Sequence, residues 1–155
     1  MSKAEPTTTP IEGVALDSRV QWIDTDAAGH HHNSSIMRWV EAAEAEMMRR
    51  ARLPEYFPEA PRVHQSINFS AKLVFGQLVR TRLWIDRIGT TSMTFAFEVC
   101  GRLSDSPDPR HSDWLTAASG ELVTAHVAKG ETASSPWPAE WISALSPFLI
   151  SEARR

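Results

Sequence analysis

The chain has 155 residues, of which 42% are hydrophobic and 23% charged, values that are ordinary for a soluble globular protein with one domain. Its net charge of −3 argues against general binding to nucleic acid or to an anionic membrane surface. One cysteine, Cys100, permits no internal disulfide. With no apolar leader in residues 1–13 and no apolar run of about 18 residues, the sequence predicts a cytoplasmic protein.

The first part of the chain predicts a flexible tail and then a strand. Residues 1–17 are rich in Ser, Thr, Pro and Glu, a composition typical of a loose tail, which ends as a short extended segment. Val20, Trp22 and Ile23 are β-favouring residues and predict a strand over residues 20–24.

A turn and a helix are predicted next. The turn-forming residues are Asp24, Asp26 and Gly29. Three good helix caps follow, which are Asn33, Ser34 and Ser35. Apolar side chains then recur at helical spacing, at Ile36, Val40, Ala43, Met47 and Ala51. We expect the helix to end near Leu53, because Pro54 cannot continue it.

Four strands are predicted downstream, over residues 62–72, 78–88, 92–102 and 114–129, because apolar side chains alternate there with polar ones. The first of them has a polar face that is either solvated or lines a cleft between subunits. Residues 103–113 have turn chemistry and predict a mobile hairpin loop, and residues 139–149 predict a short amphipathic helix. A helix followed by antiparallel strands predicts an α+β fold, in which a sheet curls around the helix.

The segment from the acidic turn to the helix has a chemical consequence. Asp26 lies just ahead of the helix N-terminus, where unpaired backbone N–H groups carry partial positive charge. A carbonyl oxygen placed against those groups is polarised, and a carboxylate on the other side can attack the carbonyl carbon or activate water. The residues alone therefore leave two roles open for Asp26, an acyl-transfer group and a simple cap.

The pattern D-x-D-x-x-G, followed by a polar cap and a helix with a Trp and acidic residues, resembles the 4-hydroxybenzoyl-CoA thioesterase group of hotdog-fold proteins. The matching residues are Asp24, Asp26, Gly29, Asn33, Trp39 and Glu41. The later segments SINFSAK, 76–88 and 89–99 fall in the order and spacing of that family, so the resemblance covers about residues 19–127.

The resemblance implies a hotdog fold, a five-stranded antiparallel sheet wrapped around a long central helix, over residues 18–130. Residues 131–155 would then be a C-terminal extension with a short helix. It also implies a homodimer or homotetramer. The implied activity is an acyl-CoA thioesterase that produces the free acid and CoA. Two alternatives stay open, a thioesterase acting on acyl-carrier protein and a hotdog dimer that binds acyl-CoA without hydrolysing it.

The resemblance also implies roles for individual residues. Asp26 falls on the catalytic carboxylate, as nucleophile or general base, and Asn33 falls where a backbone N–H polarises the thioester carbonyl. Gly29 permits close backbone approach. The other predicted substrate-binding residues are His30, His32, Glu41, Ser66, Asn68, Lys72 and Arg87.

No metal or redox cofactor is expected, and CoA enters only as part of the substrate. His30, His31 and His32 are consecutive and cannot all point at one ion, and no H-E-x-x-H pattern accompanies them. The basic run that follows the long strand of the 4-hydroxybenzoyl-CoA thioesterase is replaced by Gly-Thr-Thr at residues 89–91, which leaves open a different pose of CoA or a carrier protein as the acyl donor.

Overall fold

A computed structural model describes residues 13–102 and 114–150 of this chain. Its strands are β1 (Val14–Arg19), β2 (Arg62–Phe69), β3 (Leu78–Ile88), β4 (Ser92–Arg102) and β5 (Trp114–Ala125). Its α-helices are α1 (Asn33–Ala51), α2 (Tyr56–Glu59) and α3 (Ala139–Leu145). Two 3-10 helices cover Trp22–Asp24 and Ser146–Phe148. Residues 1–12 of the predicted tail, the loop predicted in residues 103–113 and the last five residues of the predicted C-terminal extension lie outside the described residues.

The five strands form one antiparallel sheet in the order β1-β3-β4-β5-β2. The alternation in the two central strands is confirmed, since one face of β3 and β4 is fully buried. The buried residues of this face are Val79, Thr81, Leu83, Ile85, Met93, Phe95, Phe97 and Val99. Burial of this apolar face is the main stabilising contribution of the sheet.

Helix α1 has 19 residues and packs on the buried face of the sheet, mainly against β3 and β1. Its predicted apolar residues Ile36, Val40, Ala43 and Met47 are fully buried. The helix ends at Ala51, and its C-cap Arg52 has a left-handed backbone (φ 58°) and an N–H that donates to carbonyls of the last turn. The predicted five-stranded antiparallel sheet with a helix, the hotdog arrangement, is thus the observed architecture.

The N-terminal strand is not where the sequence placed it. β1 covers Val14–Arg19, so the sheet includes four residues of the predicted tail, and Val14 is fully buried opposite Leu83. Residues 20–24 form no strand: Trp22–Asp24 is a 3-10 helix in which Trp22 and Ile23 are exposed. The cause is Asp24, whose carboxylate accepts the N–H of Gln21 and bends the chain into a turn.

Edge strand β2 is less buried than its alternating sequence pattern indicates. The predicted apolar face of edge strand β2 is largely uncovered in the single chain, with Val63 60% and Phe69 49% exposed, because helix α1 packs mainly on β3, β1 and β4. The C-terminal helix is confirmed as α3, which buries Trp141 and Leu145.

Within residues 13–102 and 114–150, no helix is long and apolar enough to cross a membrane.

Candidate active site

The site begins with Asp24, which ties the chain before α1 to the helix itself. Its buried carboxylate accepts hydrogen bonds from the N–H of Gln21 at 2.7 Å and from Arg38 at 2.6 Å. Its carbonyl accepts the N–H of His32 at 2.7 Å and the hydroxyl of Ser35 at 2.8 Å. Asp24 therefore has the structural role of fixing how the turn meets the first turn of α1.

Asp26 lies at the tip of this turn, which a bridge between Thr25 and His31 closes. Its Oδ1 accepts the N–H of Ala28 at 2.8 Å, and its own N–H donates to the carbonyl of His30 at 3.1 Å. Gly29 follows with φ 82°, a conformation that favours glycine. The Asp26 side chain is exposed in the single chain, and its second carboxylate oxygen has no bond to the residues described.

The start of α1 differs from the prediction in its cap. The N-cap is His32, whose Nδ1 accepts the N–H of Ser34 at 3.1 Å, and the predicted cap residues form the first turn instead. Asn33 is the first helical residue. His32 can serve as the cap because its ring nitrogen reaches the N–H of Ser34, the amide to which an Asp, Asn, Ser or Thr cap would bind.

One backbone amide at this helix start is left open. Of the five N–H groups from position 31 to 35, four donate to protein acceptors, namely those of His31, His32, Ser34 and Ser35. Among the residues that the structure describes, the N–H of Asn33 has no acceptor. An unpaired N–H at a helix N-terminus is a polarising donor for an oxygen atom of a ligand.

A shallow groove of about 240 Å³ lies at this amide. Its walls come from the helix start and from the chain that leaves β2, and they are formed by His30, His31, Asn33, Phe69, Ser70, Ala71 and Lys72. The structure therefore brings Asn33, His30 and Lys72 together next to the turn that holds Asp26. Asp26 itself does not line the groove in the single chain.

Other predicted substrate-binding residues lie elsewhere. Ser66 and Asn68 are exposed on edge strand β2 and do not line the groove. Glu41 is bound to Arg62 at 3.1 Å. Arg87 lies near the end of β3, nine residues beyond Leu78, which corresponds to about 30 Å of extended chain.

His31 is not among the residues that the sequence predicts to bind substrate, although it is the buried histidine of the three, with 5% of its surface exposed. Its N–H donates to the carbonyl of Leu73 at 2.8 Å, and its Nδ1 accepts the N–H of Leu73 at 3.1 Å. Burial, and next the nearby His30, lower the pKa of His31, whereas the charge of Asp26 acts in the opposite direction. The histidine run holds no signal for this, because the bridge from Thr25 decides which of the three turns inward.

The histidines are not arranged as a metal centre. In the part of the chain that the structure describes, no group of three His, Cys, Asp or Glu side chains could hold a metal ion.

The cap suggests a first test. We expect His32→Ala to lower the free energy of unfolding by about 0.5–2 kcal/mol, because the N–H of Ser34 loses its acceptor. His32→Asn should retain most of the stability, since Asn is a good N-cap. Denaturant unfolding of both variants measures this difference. If His32→Ala is as stable as wild type, the cap contributes nothing to stability; His32, predicted to bind substrate, does not line the groove.

Comparison with family models finds a match over nearly half of the chain. Residues 28–101 match the family model of the thioesterase superfamily, a range that includes the groove and all of α1, β2 and β3. Thioester hydrolysis is the reaction class of that superfamily. No curated protein matches the chain.

Solved structures give the same fold. A predicted thioesterase from Bacillus stearothermophilus is 19% identical with a TM-score of 0.74, covering 88% of this chain and 96% of that one. A 1,4-dihydroxy-2-naphthoyl-CoA thioesterase from Synechocystis is 19% identical with a TM-score of 0.72, covering 86% and 95%. An Asp-to-Asn mutant of 4-hydroxybenzoyl-CoA thioesterase, in complex with 4-hydroxybenzoyl-CoA, is 16% identical with a TM-score of 0.73, covering 86% and 99%. The predicted resemblance is thus confirmed.

Proposed function

We propose that this chain, which carries a thioesterase-superfamily domain of hotdog fold, hydrolyses an acyl-CoA thioester to the free acid and CoA. The observation that carries the proposal is the unpaired N–H of Asn33, which opens into a groove beside the turn that holds Asp26. This is the arrangement that acyl transfer requires: a donor for the carbonyl oxygen and a carboxylate near the carbonyl carbon.

The Asn33 amide acts on the carbonyl oxygen. As the carbonyl carbon becomes tetrahedral, negative charge develops on the oxygen, and a fixed N–H at the positive end of a helix stabilises that charge. Because the donor belongs to the backbone, the role does not depend on the Asn33 side chain.

Asp26 acts on the carbonyl carbon by one of two routes. As a nucleophile, its carboxylate forms an acyl anhydride while the C–S bond breaks and CoA leaves as the thiolate, and water then hydrolyses the anhydride. As a general base, it takes a proton from water as the water oxygen attacks, and the same C–S bond breaks. In either route the products are one carboxylic acid and one thiol.

The groove also limits how CoA is bound. Lys72 is the cationic side chain that lines it, and we propose that Lys72 contacts a phosphate of the nucleotide. Arg87 lies near the far end of β3 and does not line the groove. The support for CoA as the thiol is that two neighbours of the same fold are named as thioesterases of CoA esters.

We propose a homodimer in which a second copy covers edge strand β2 and the turn of Asp26. Three observations support it: β2 is an edge, its apolar Val63 and Phe69 are exposed, and the groove lies at its end. Pairing would hide the strand edge from other chains and shield Asp26 from bulk solvent. Sedimentation equilibrium gives the subunit number and separates dimer from tetramer.

We also propose a cytoplasmic location, which suits the buried, free thiol of Cys100.

A panel of acyl-CoA esters, followed by free-thiol release, tests the function. We expect hydrolysis of at least one member, unchanged by EDTA, because no metal takes part in the proposed chemistry. The preferred acyl group is then offered on a carrier protein, and faster release from the carrier would move the assignment to that donor. Binding of several CoA esters without thiol release from any of them would contradict the proposal and leave a binding protein.

A further inference from the structure

His31 is held in place by a two-point contact with Leu73. The backbone N–H of His31 donates to the carbonyl of Leu73 at 2.8 Å, and the N–H of Leu73 donates to Nδ1 of the His31 ring at 3.1 Å. The ring is packed near Trp39, with ring centroids 6.5 Å apart. These contacts fix both the position and the rotation of the ring at the groove wall.

The contact with Leu73 also fixes the tautomer. Because Nδ1 accepts a hydrogen bond, it carries no proton, so the neutral ring must carry its proton on Nε2. Burial lowers the pKa of His31, which favours the neutral ring near pH 7. The result is a single N–H donor of known position on a side chain that does not rotate freely.

This donor has no acceptor in the described part of the protein. Nδ1 is engaged by Leu73, whereas Nε2 has no hydrogen-bond partner there, although the residue is 95% buried (5% exposed) and lines the groove. The Nε2 atom is not among the fully enclosed side-chain nitrogens that lack a partner, so it is accessible from the groove and can donate to a ligand or to water there. The second open donor on the same groove is the N–H of Asn33.

We propose that the Nε2–H of His31 is a second hydrogen-bond donor to the thioester carbonyl oxygen, alongside the N–H of Asn33. This inference rests on the proposed function. A carbonyl oxygen has two lone pairs, and a site with two fixed donors stabilises the developing oxyanion more than one donor does. A neutral imidazole suits this role because it donates without taking part in proton transfer.

Two substitutions separate the donor from the contact with Leu73. In His31→Asn the side-chain oxygen takes the place of Nδ1 and retains the acceptor for Leu73, but the Nε2–H is lost. In His31→Gln the amide N–H₂ reaches toward the place of Nε2, but the acceptor for Leu73 is lost. The two variants therefore form a matched pair of amide side chains. His31→Asn keeps the acceptor for Leu73 and loses the donor, whereas His31→Gln keeps the donor and loses the acceptor.

We expect His31→Asn to keep its thermal midpoint close to wild type while kcat falls about 10²-fold, with KM changed by less than about threefold. We expect His31→Gln to unfold at a lower temperature and to keep kcat within about tenfold of wild type. If His31 had only a structural role, activity would follow stability, and His31→Gln would be the less active of the two variants.

The tautomer is measured independently of activity. Nitrogen-15 shifts of the His31 ring in the full-length protein should show a protonated Nε2 and an unprotonated Nδ1, and Nε2 should shift when a thioether analogue of the preferred acyl-CoA binds. A protonated Nδ1, or an active wild type whose His31→Asn variant is equally active, would overturn this inference alone. If the wild type hydrolyses no thioester, the proposed function itself fails.

Discussion

Asp26→Asn is expected to lower kcat by about 10²–10⁴-fold and to leave the folded protein intact. Asn has the shape of Asp, and its side-chain oxygen can still accept the N–H of Ala28 that the carboxylate accepts at 2.8 Å. What it loses is the negative charge, so it can neither attack a carbonyl carbon nor take a proton from water. KM should change little, because the role of Asp26 is in the chemical step and not in holding the CoA.

The matched control is Asp17→Asn, which removes a carboxylate that pairs with Arg80 at 2.8 Å on the β1 edge of the sheet. It has the same change of charge and should retain wild-type kcat. Thiol release, with thermal unfolding of each variant, separates lost chemistry from lost fold. An Asp26→Asn enzyme with wild-type turnover would remove Asp26 from the mechanism, and the Asn33 amide would then act with some other base.

If Asp26→Asn is inactive, a single turnover in ¹⁸O-water tests the nucleophilic route. Label found in the Asp26 carboxylate of the wild type indicates an anhydride that water opens at the enzyme carbonyl. Label found only in the product acid is expected both for the general-base route and for an anhydride that water opens at the acyl carbonyl. The proposed homodimer should be intact in this experiment, because the single chain leaves Asp26 exposed.

The sequence predicts the elements whose burial is set by periodicity alone. The apolar alternation of β3 and β4 and the helical spacing of α1 both match the structure, because each of these elements has one face on the core. The motif order also led to the hotdog fold. These signals are repeated along many residues, so one exception does not hide them.

The sequence does not predict features that depend on a single tertiary contact. Trp22 and Ile23 favour a strand, but the carboxylate of Asp24 bends that segment into a 3-10 helix. Val63 and Phe69 alternate as in a buried strand, yet β2 lies at the edge of the sheet. In both cases the position in the fold outweighs local propensity.

The sequence likewise predicts some residues of the candidate site and not others. The motif led to Asp26 and to the amide of Asn33, because their place relative to the helix start follows from the order of residues. It did not lead to His31, whose role depends on Leu73, a residue 42 positions away. It also did not distinguish Glu44 from the solvated face of α1, although the structure buries this carboxylate almost completely.

Glu44 leads to the prediction with the largest expected effect on stability. Its carboxylate has 4% of its surface exposed and is bound by Arg62 at 2.9 Å. Removing one partner of a buried ion pair leaves an uncompensated charge. We therefore expect Arg62→Met to lower the free energy of unfolding by about 3 kcal/mol at pH 7, measured in denaturant at fixed protein concentration.

The pH dependence of this loss has a definite sign. Burial raises the pKa of Glu44 above its ordinary value of 4.5, and Arg62 opposes that shift. The folded state thus binds a proton more tightly than the unfolded state, so the contribution of Glu44 to stability decreases as the pH rises through its folded pKa. Without Arg62 the folded pKa should be higher still. The Arg62→Met variant should therefore recover part of its lost stability as the pH falls from 7 toward 4.5.

The double variant Glu44→Leu/Arg62→Met tests whether the loss comes from an unpaired charge. We expect it to be more stable at pH 7 than Arg62→Met alone, because an apolar side chain fills the site and no charge remains unpaired. Arg49→Met is the control, since it breaks an exposed ion pair with Glu46 on the same helix and should have little effect. If the double variant is no more stable than Arg62→Met at pH 7, the loss comes from packing of the Arg62 stem and not from the isolated carboxylate.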